Sequence, residues 1–336
     1  MTDSSPHASP TSAHTTSSEV RKCYLVSSTF DYDATICSDY GPDYAEHMGW
    51  DVAGLDDAES AISSYPVVLV DTRYDEAECE RLKALVRAHR GTTFGFSVID
   101  PFHWVVDRPY PSMLFELKHE PNVFFLSRYQ PKEVVQDLID GAGPEKLVVI
   151  PYAYVPPFQP IDGFEQRHWR LIHSGRHNAS RYPCRQTIHR LHKWIRPFRS
   201  YVDTLGHPGY PDAGETLQHE VVGDEYIAFL SGYTFMSVTP SRLHLEFLKY
   251  RECAMAGCVP VGIPPDGFPN ALCAPFVNLS PGGPLSAAFH LTRGLLMRRS
   301  EAKDRAHAYR DAYRTHRSPD VLNAKLDAFL DETGRT

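Results

Sequence analysis

Along the first half of the chain, short apolar runs alternate with stretches of helical periodicity, and this alternation limits the possible folds more than any other feature. KCYLVSS (22–28), PVVLVDTR (66–73), TFGFSVIDPF (93–102), NVFFLS (122–127) and KLVVIPYAY (146–154) are rich in β-branched and aromatic residues over strand-like lengths. Between them, ERLKALVRAHR (80–90) sets Leu82, Leu85 and Val86 at helical spacing, and KEVVQDLID (132–140) does the same with Val134, Val135, Leu138 and Ile139. Strands separated by helices predict a parallel sheet with helices on both faces.

The pattern breaks at VPPFQPIDGF (155–164), where three prolines and a glycine read as a linker. It then resumes: HWRLIHSG (168–175) opens a second sheet, YPCRQTIHRLHKWI (182–195) gives its first helix with Pro183 in the opening turn, and RSYVDTL (199–205) continues as a strand. Two helices end the chain, SEAKDRAHAYRDAYRTH (300–316) and SPDVLNAKLDAFLDE (318–332), the latter with an apolar face of Leu322, Leu326, Phe329 and Leu330. A length of 336 residues suits two α/β domains better than one. The expected organisation is a disordered tail (1–20), a first Rossmann-like domain (21–160), a second (161–300) and closing helices (301–336). Residues 1–19 are almost all Ser, Thr, Pro, His and other small or polar types, so ordering them has nothing to offset its entropy.

The stretch 226–262, YIAFLSGYTFMSVTPSRLHLEFLKYRECAMAGCVPVG, carries the most chemistry. TFMSVTP reads as a strand that stops at Pro240, a helix carries Lys249 and Glu252, and CVPVGI supplies the next strand. In an open α/β sheet, ligands bind at the carboxyl ends of the strands, where loops and helix N-termini converge. Lys249 and Glu252 lie three apart on one helical face and suit a diphosphate and ribose hydroxyls, respectively. Gly257 allows close backbone approach. The same pattern also describes a solvated ion pair on a helix whose small residues ease packing.

These residues resemble a known family. K-x-x-E-x-x-x-x-G-C-V-P-V, after a Tyr-led helix and a strand ending in Thr-Pro, is similar to the C-terminal donor domain of GT-B glycosyltransferases, with spacing nearest the exostosin-like members. The segment LIHSGRHNASRYPCRQTIHRLHKW (171–194) resembles the strand, Gly-bearing turn and helix that open the same domain. The resemblance implies two Rossmann-like domains facing a cleft, a last helix that crosses back to the first domain, and Glu252 on the ribose hydroxyls. It departs from the pattern of retaining members, because His244 stands eight residues before Glu252 where a second Glu is expected and Glu246 is out of register. An inverting course is what the exostosin likeness implies.

Glycosyl transfer loads negative charge on the leaving diphosphate, which a GT-B site offsets with cations and backbone amides rather than a metal or other cofactor. Arg176, after Ser174 and Gly175, is the first choice for that role, then Lys249, then Arg185. Thr239 and Arg242, with Ser241, lie in the loop before the helix and extend the donor set. An acceptor hydroxyl needs a base from the first domain. Asp100 and His103, favoured by their strand-end position, and Asp31 and Asp33 in the loop after the first strand are the candidates. Each is also a turn residue of the kind that caps a backbone amide. Tyr32, Tyr40, Tyr44, Phe102 and Trp104 sit near predicted loops and offer faces for a sugar ring or fill the core.

Other signals carry less. Asp31-Tyr32-Asp33 matches a short metal-binding D-x-D, His189 and His192 lack a third ligand nearby in sequence, and Ser174 lacks a nucleophile-elbow pattern. Seven scattered cysteines make no disulfide framework or metal knuckle. The formal charge of −8 argues against a general nucleic-acid binder, although Arg181, Arg185, Arg190, Arg196 and Arg199 cluster. No apolar run is long enough to cross a bilayer, and the N-terminus does not read as a signal peptide, so a cytoplasmic protein is expected. The expected partners are a nucleotide-sugar donor and a hydroxyl-bearing acceptor. Alternatives are a nucleotide-sugar epimerase of the same fold and a non-catalytic nucleotide or glycan binder.

Overall fold

The computed structural model describes residues 20–34, 41–98, 108–176, 178–209, 215–279 and 283–335. It holds two separate parallel sheets. The first, in the order β2-β1-β3-β4-β5-β6, consists of β1 (Lys22–Val26), β2 (Asp51–Gly54), β3 (Val67–Val70), β4 (Thr93–Val98), β5 (Val123–Ser127) and β6 (Leu147–Val149). The second, in the order β11-β10-β9-β7-β8, consists of β7 (His168–Ser174), β8 (Val202–Leu205), β9 (Tyr233–Val238), β10 (Val259–Gly262) and β11 (Val277–Asn278). Each of the five apolar runs of the first half contributes one strand. The sixth strand, β2, is a half-exposed edge paired only with β1, and its DVAG sequence carries too little apolar pattern to announce it.

Side-chain alternation along the strands builds two cores on the first sheet. Leu25, Val68, Phe94 and Phe96 point to one face, beneath the helices Glu76–Ala88, Pro109–Leu117 and Val134–Ala142. Tyr24, Val26, Leu69 and Phe124 point to the other, where they meet Tyr44, Trp50 and, from the far end of the chain, Leu322, Leu326 and Leu330. The helix Pro319–Glu332 is thus part of the core around the first sheet. Ser318 starts it by accepting a hydrogen bond from the Val321 amide, with Pro319 in the first turn. Its Asn323 accepts from Trp50 Nε1 at 2.8 Å and donates to Met48 O at 2.7 Å.

The preceding helix, Arg299–Arg317, belongs to the second sheet, burying Ala302, Ala306, Tyr309 and Tyr313. Glu246 explains why that helix sits where it does. Its buried carboxylate accepts from Tyr313 OH at 2.7 Å and from Arg317 at 3.3 Å. Burial raises the Glu246 pKa, against the opposing pull of Arg317.

The carboxyl ends of the two sheets face each other. Lys132 and Glu133, shortly after β5, reach across to Asp266 (3.4 Å) and Arg242 (2.7 Å), which follow β10 and β9. Among the described residues, the non-glycines with left-handed φ are Glu133 (53°) and His244 (58°), and both lie in these bridging loops.

Candidate functional site

The second sheet concentrates cations at its carboxyl edge. β7 ends at Ser174, and Gly175 follows with φ of 98°, a conformation suited to glycine. Its amide donates to Leu205 O at 3.0 Å, tying the turn to the end of β8. A Cβ on Gly175 would stand 3.0 Å from Lys249 Cε and 3.3 Å from an Arg185 terminal nitrogen. The missing side chain therefore leaves the space that the two cations fill.

Three elements distant in sequence hold Lys249. It lies in the first turn of the helix Leu248–Ala256, which starts at Leu248; Leu243 and Leu245 precede the helix. Its ammonium donates to Ser174 Oγ at 2.9 Å and to Tyr226 OH at 3.0 Å, and those two hydroxyls are 2.6 Å apart. Tyr226 comes from the helix Gly223–Ser231. Burial pulls the Lys249 pKa down to about 8, partly countered by Glu252, while Arg185 lowers it further. Arg185 is 6% exposed, in the first turn of the helix Pro183–Trp194, with its guanidinium 4.2 Å from the centre of the Tyr182 ring. Burial lowers its pKa too. Among the described residues, neither Lys249 nor Arg185 forms an ion pair with a carboxylate, although Glu252 acts electrostatically on both. Two enclosed cations beside a glycine turn and two helix N-termini are an arrangement that could hold an anion.

Arg176 follows the turn, is exposed, and pairs with Glu215. His207, just past β8, was not singled out from sequence. Its pKa is pushed down to about 4, first by burial and then by Arg176 and Lys249. Its Nδ1 accepts from the Gly209 amide at 3.0 Å. The ring is therefore neutral near pH 7, with its proton on Nε2.

Other expected donor residues fall elsewhere. Gly257 lies at the opposite end of the helix, before the amino end of β10, so it does not approach a ligand at the carboxyl edge. It ends the helix with φ of 66°, and a Cβ there would meet Arg310 at 2.5 Å and Ile161 at 2.7 Å. Thr239 is 1% exposed, packed beside Gly262, and does not open on the cleft. Arg242 is exposed and engaged with Glu133 across the lobes.

In the first lobe, Asp31 is exposed and accepts from the Asp33 amide at 3.1 Å, the turn-forming use of such a residue. Asp100, His103, Tyr40, Phe102 and Trp104 lie outside the described residues, as do residues 1–19 of the tail. The structure adds Asp71, fully buried after β3, which accepts from Tyr24 OH at 2.9 Å and Tyr32 OH at 2.6 Å. Tyr24, Tyr44, Trp50, Ser97, Ser127 and Arg128 line a small cavity at the same edge. Tyr44 itself is core, under the Arg128 guanidinium.

No known protein family and no curated protein matches the sequence. Solved structures do. HepE (Alr3699) of Anabaena in complex with UDP aligns with a TM-score of 0.52 at 10% identity over 93% of this chain and 100% of its own. An α-glucosyltransferase in complex with UDP and a mismatch-containing DNA gives 0.57 at 10% identity, covering 92% and 99%. The α,α-trehalose 6-phosphate synthase of Burkholderia multivorans gives 0.51 at 15% identity, covering 87% and 75%. At such identities the likeness shows the fold, and that fold is GT-B.

Proposed function

We propose, from the GT-B fold and the cationic turn at Gly175, that this protein transfers a sugar from a nucleoside diphosphate sugar to a hydroxyl-bearing acceptor. The carrying observation is the convergence of Lys249 and Arg185 on that turn with no ion-paired carboxylate among the described residues. As the bond from the anomeric carbon to the phosphate oxygen breaks, negative charge grows on the leaving diphosphate, and these fixed cations stabilise it where it forms. Two positive side chains already in place fill the role a divalent ion plays elsewhere, so transfer is expected to persist in a chelator. Glu252, one helical turn beyond Lys249, accepts from the ribose hydroxyls. Asp100 and His103, which follow β4 in the chain, are our first choices for the base that takes the acceptor proton. Asp31 ranks below them because its carboxylate already serves the Asp33 amide.

UDP is the nucleotide to test first, since the similar HepE and α-glucosyltransferase structures hold it. In a thermal-shift panel of UDP, GDP, dTDP and CDP, one nucleotide should raise the melting temperature, and Glu252→Ala should abolish that rise. A panel with no shift, or a shift that Glu252→Ala leaves intact, would remove the site. Sugar released or transferred with free nucleoside diphosphate supports transfer. Interconversion of two intact sugar nucleotides would point instead to an epimerase, and nucleotide binding without turnover to a binder.

A further inference from the structure

The helical layer over the second sheet presents a surface unlike the rest of the molecule. The helices Pro183–Trp194 and Gly283–Leu295 pack against each other there, with Ile188 and Leu191 of one and Ala287 and Leu291 of the other in a shared core. Leu285 and Phe289 fall at i and i+4, on the side of the helix opposite Ala287 and Leu291, and Leu296 stands in the turn just past its end. They are 88%, 64% and 79% exposed, and Trp194 at the end of the neighbouring helix is 74% exposed. Exposed apolar side chains gathered on one face mark an interaction surface, whereas scattered ones do not.

Charge identifies the partner. In a chain of net charge −8, residues 176–202 contain seven Lys or Arg and no Asp or Glu, and residues 267–300 contain three and again no acid. Of these, Arg190, Lys193, Arg196 and Arg293 are exposed on or beside the two helices. A face built from two helices that carry cations and no acid of their own, with protruding Leu, Phe and Trp, suits an anionic lipid surface, where the apolar groups enter the headgroup boundary and the cations meet the headgroups. A nucleic acid would engage the cations but leave the leucines in water. A second copy meeting the same face would set like charge against like.

We propose that this face docks the protein on the surface of anionic bilayers, through Leu285, Phe289, Leu296 and Trp194 with Arg190 and Lys193 at their side. The test is co-sedimentation of the full chain with vesicles of phosphatidylcholine alone and of equal parts phosphatidylcholine and phosphatidylglycerol. Binding is expected to the mixed vesicles only, and to weaken as salt is raised. F289S/L296S should lower partitioning by about tenfold or more, and R190Q/K193Q by roughly tenfold, both with unchanged thermal melting because the altered side chains are exposed. The proposal falls if the mixed vesicles bind nothing, or if both variants bind as the parent does. It also falls if, without vesicles, F289S/L296S abolishes a concentration-dependent dimer, or if the face retains an oligonucleotide but no vesicle.

Discussion

Lys249 shows how one residue's function depends on groups far away in the chain. Its pKa of about 8 lies below the ordinary 10.5 because burial disfavours the ammonium. An anionic ligand needs the protonated form, so UDP affinity is expected to be full below about pH 8 and to fall as pH rises through that value. Calorimetric titration with UDP at about pH 7 and about pH 9.5 should show a weakening of about tenfold, and Lys249→Met should flatten the profile. Equal parental affinity at both pH values would take Lys249 out of the site. The sign for folding is opposite. Between about pH 8 and 10.5 the unfolded lysine holds its proton and the folded one does not, so this residue makes the fold more stable as pH rises. Lys249 and Glu252 were legible in the sequence as a pair on one helix. Ser174, Tyr226 and His207 were not, because they come from three other segments that meet Lys249 only after folding. Gly257 was misassigned because a glycine near a helix does not say which end of the neighbouring strand it faces.

Among the elements, the segment from the end of β9 through the Leu248–Ala256 helix serves two tasks. Glu246, in the loop itself, anchors the Arg299–Arg317 helix through Tyr313 and Arg317, whereas Lys249 and Glu252, in the helix that follows, are the pair proposed for the donor. Glu246→Ala would leave the Arg317 guanidinium buried without its carboxylate, at a cost of about 3 kcal/mol or more. Urea denaturation should show that loss, while the folded variant keeps its nucleotide-induced thermal shift. An unchanged midpoint would mean that the pair contributes nothing. The apolar runs that became strands were readable because β-branched residues recur at strand length. β2 escaped since an edge strand covered on few sides needs little apolar sequence. The helix starts only at Leu248, and Leu243 and Leu245 before it lie in an irregular loop in which His244 adopts a left-handed φ of 58°.

At the scale of the molecule, the chain's last helix stabilises its first lobe. Leu322, Leu326 and Leu330 complete a face that begins with Tyr24 and Leu69, and a fully buried leucine is worth about 2 kcal/mol. Removing residues 318–336 should expose that face, with increased binding of a hydrophobic dye and loss of a cooperative melt for the first lobe. A truncated chain melting like the parent would contradict this packing. Across the cleft, by contrast, the exposed pairs Arg242–Glu133 and Lys132–Asp266 are of the kind that contributes little. The sequence by itself determined the two parallel α/β sheets and the cation and carboxylate of the second lobe, because strand and helix periodicity and a short spacing are local properties. The family resemblance already implied that the last helix crosses back to the first domain; only the tertiary structure decided that the helix before it stays with the second sheet, and which groups enclose Lys249 as burial lowers its pKa. These depend on contacts between residues tens to hundreds of positions apart, and no local pattern encodes them.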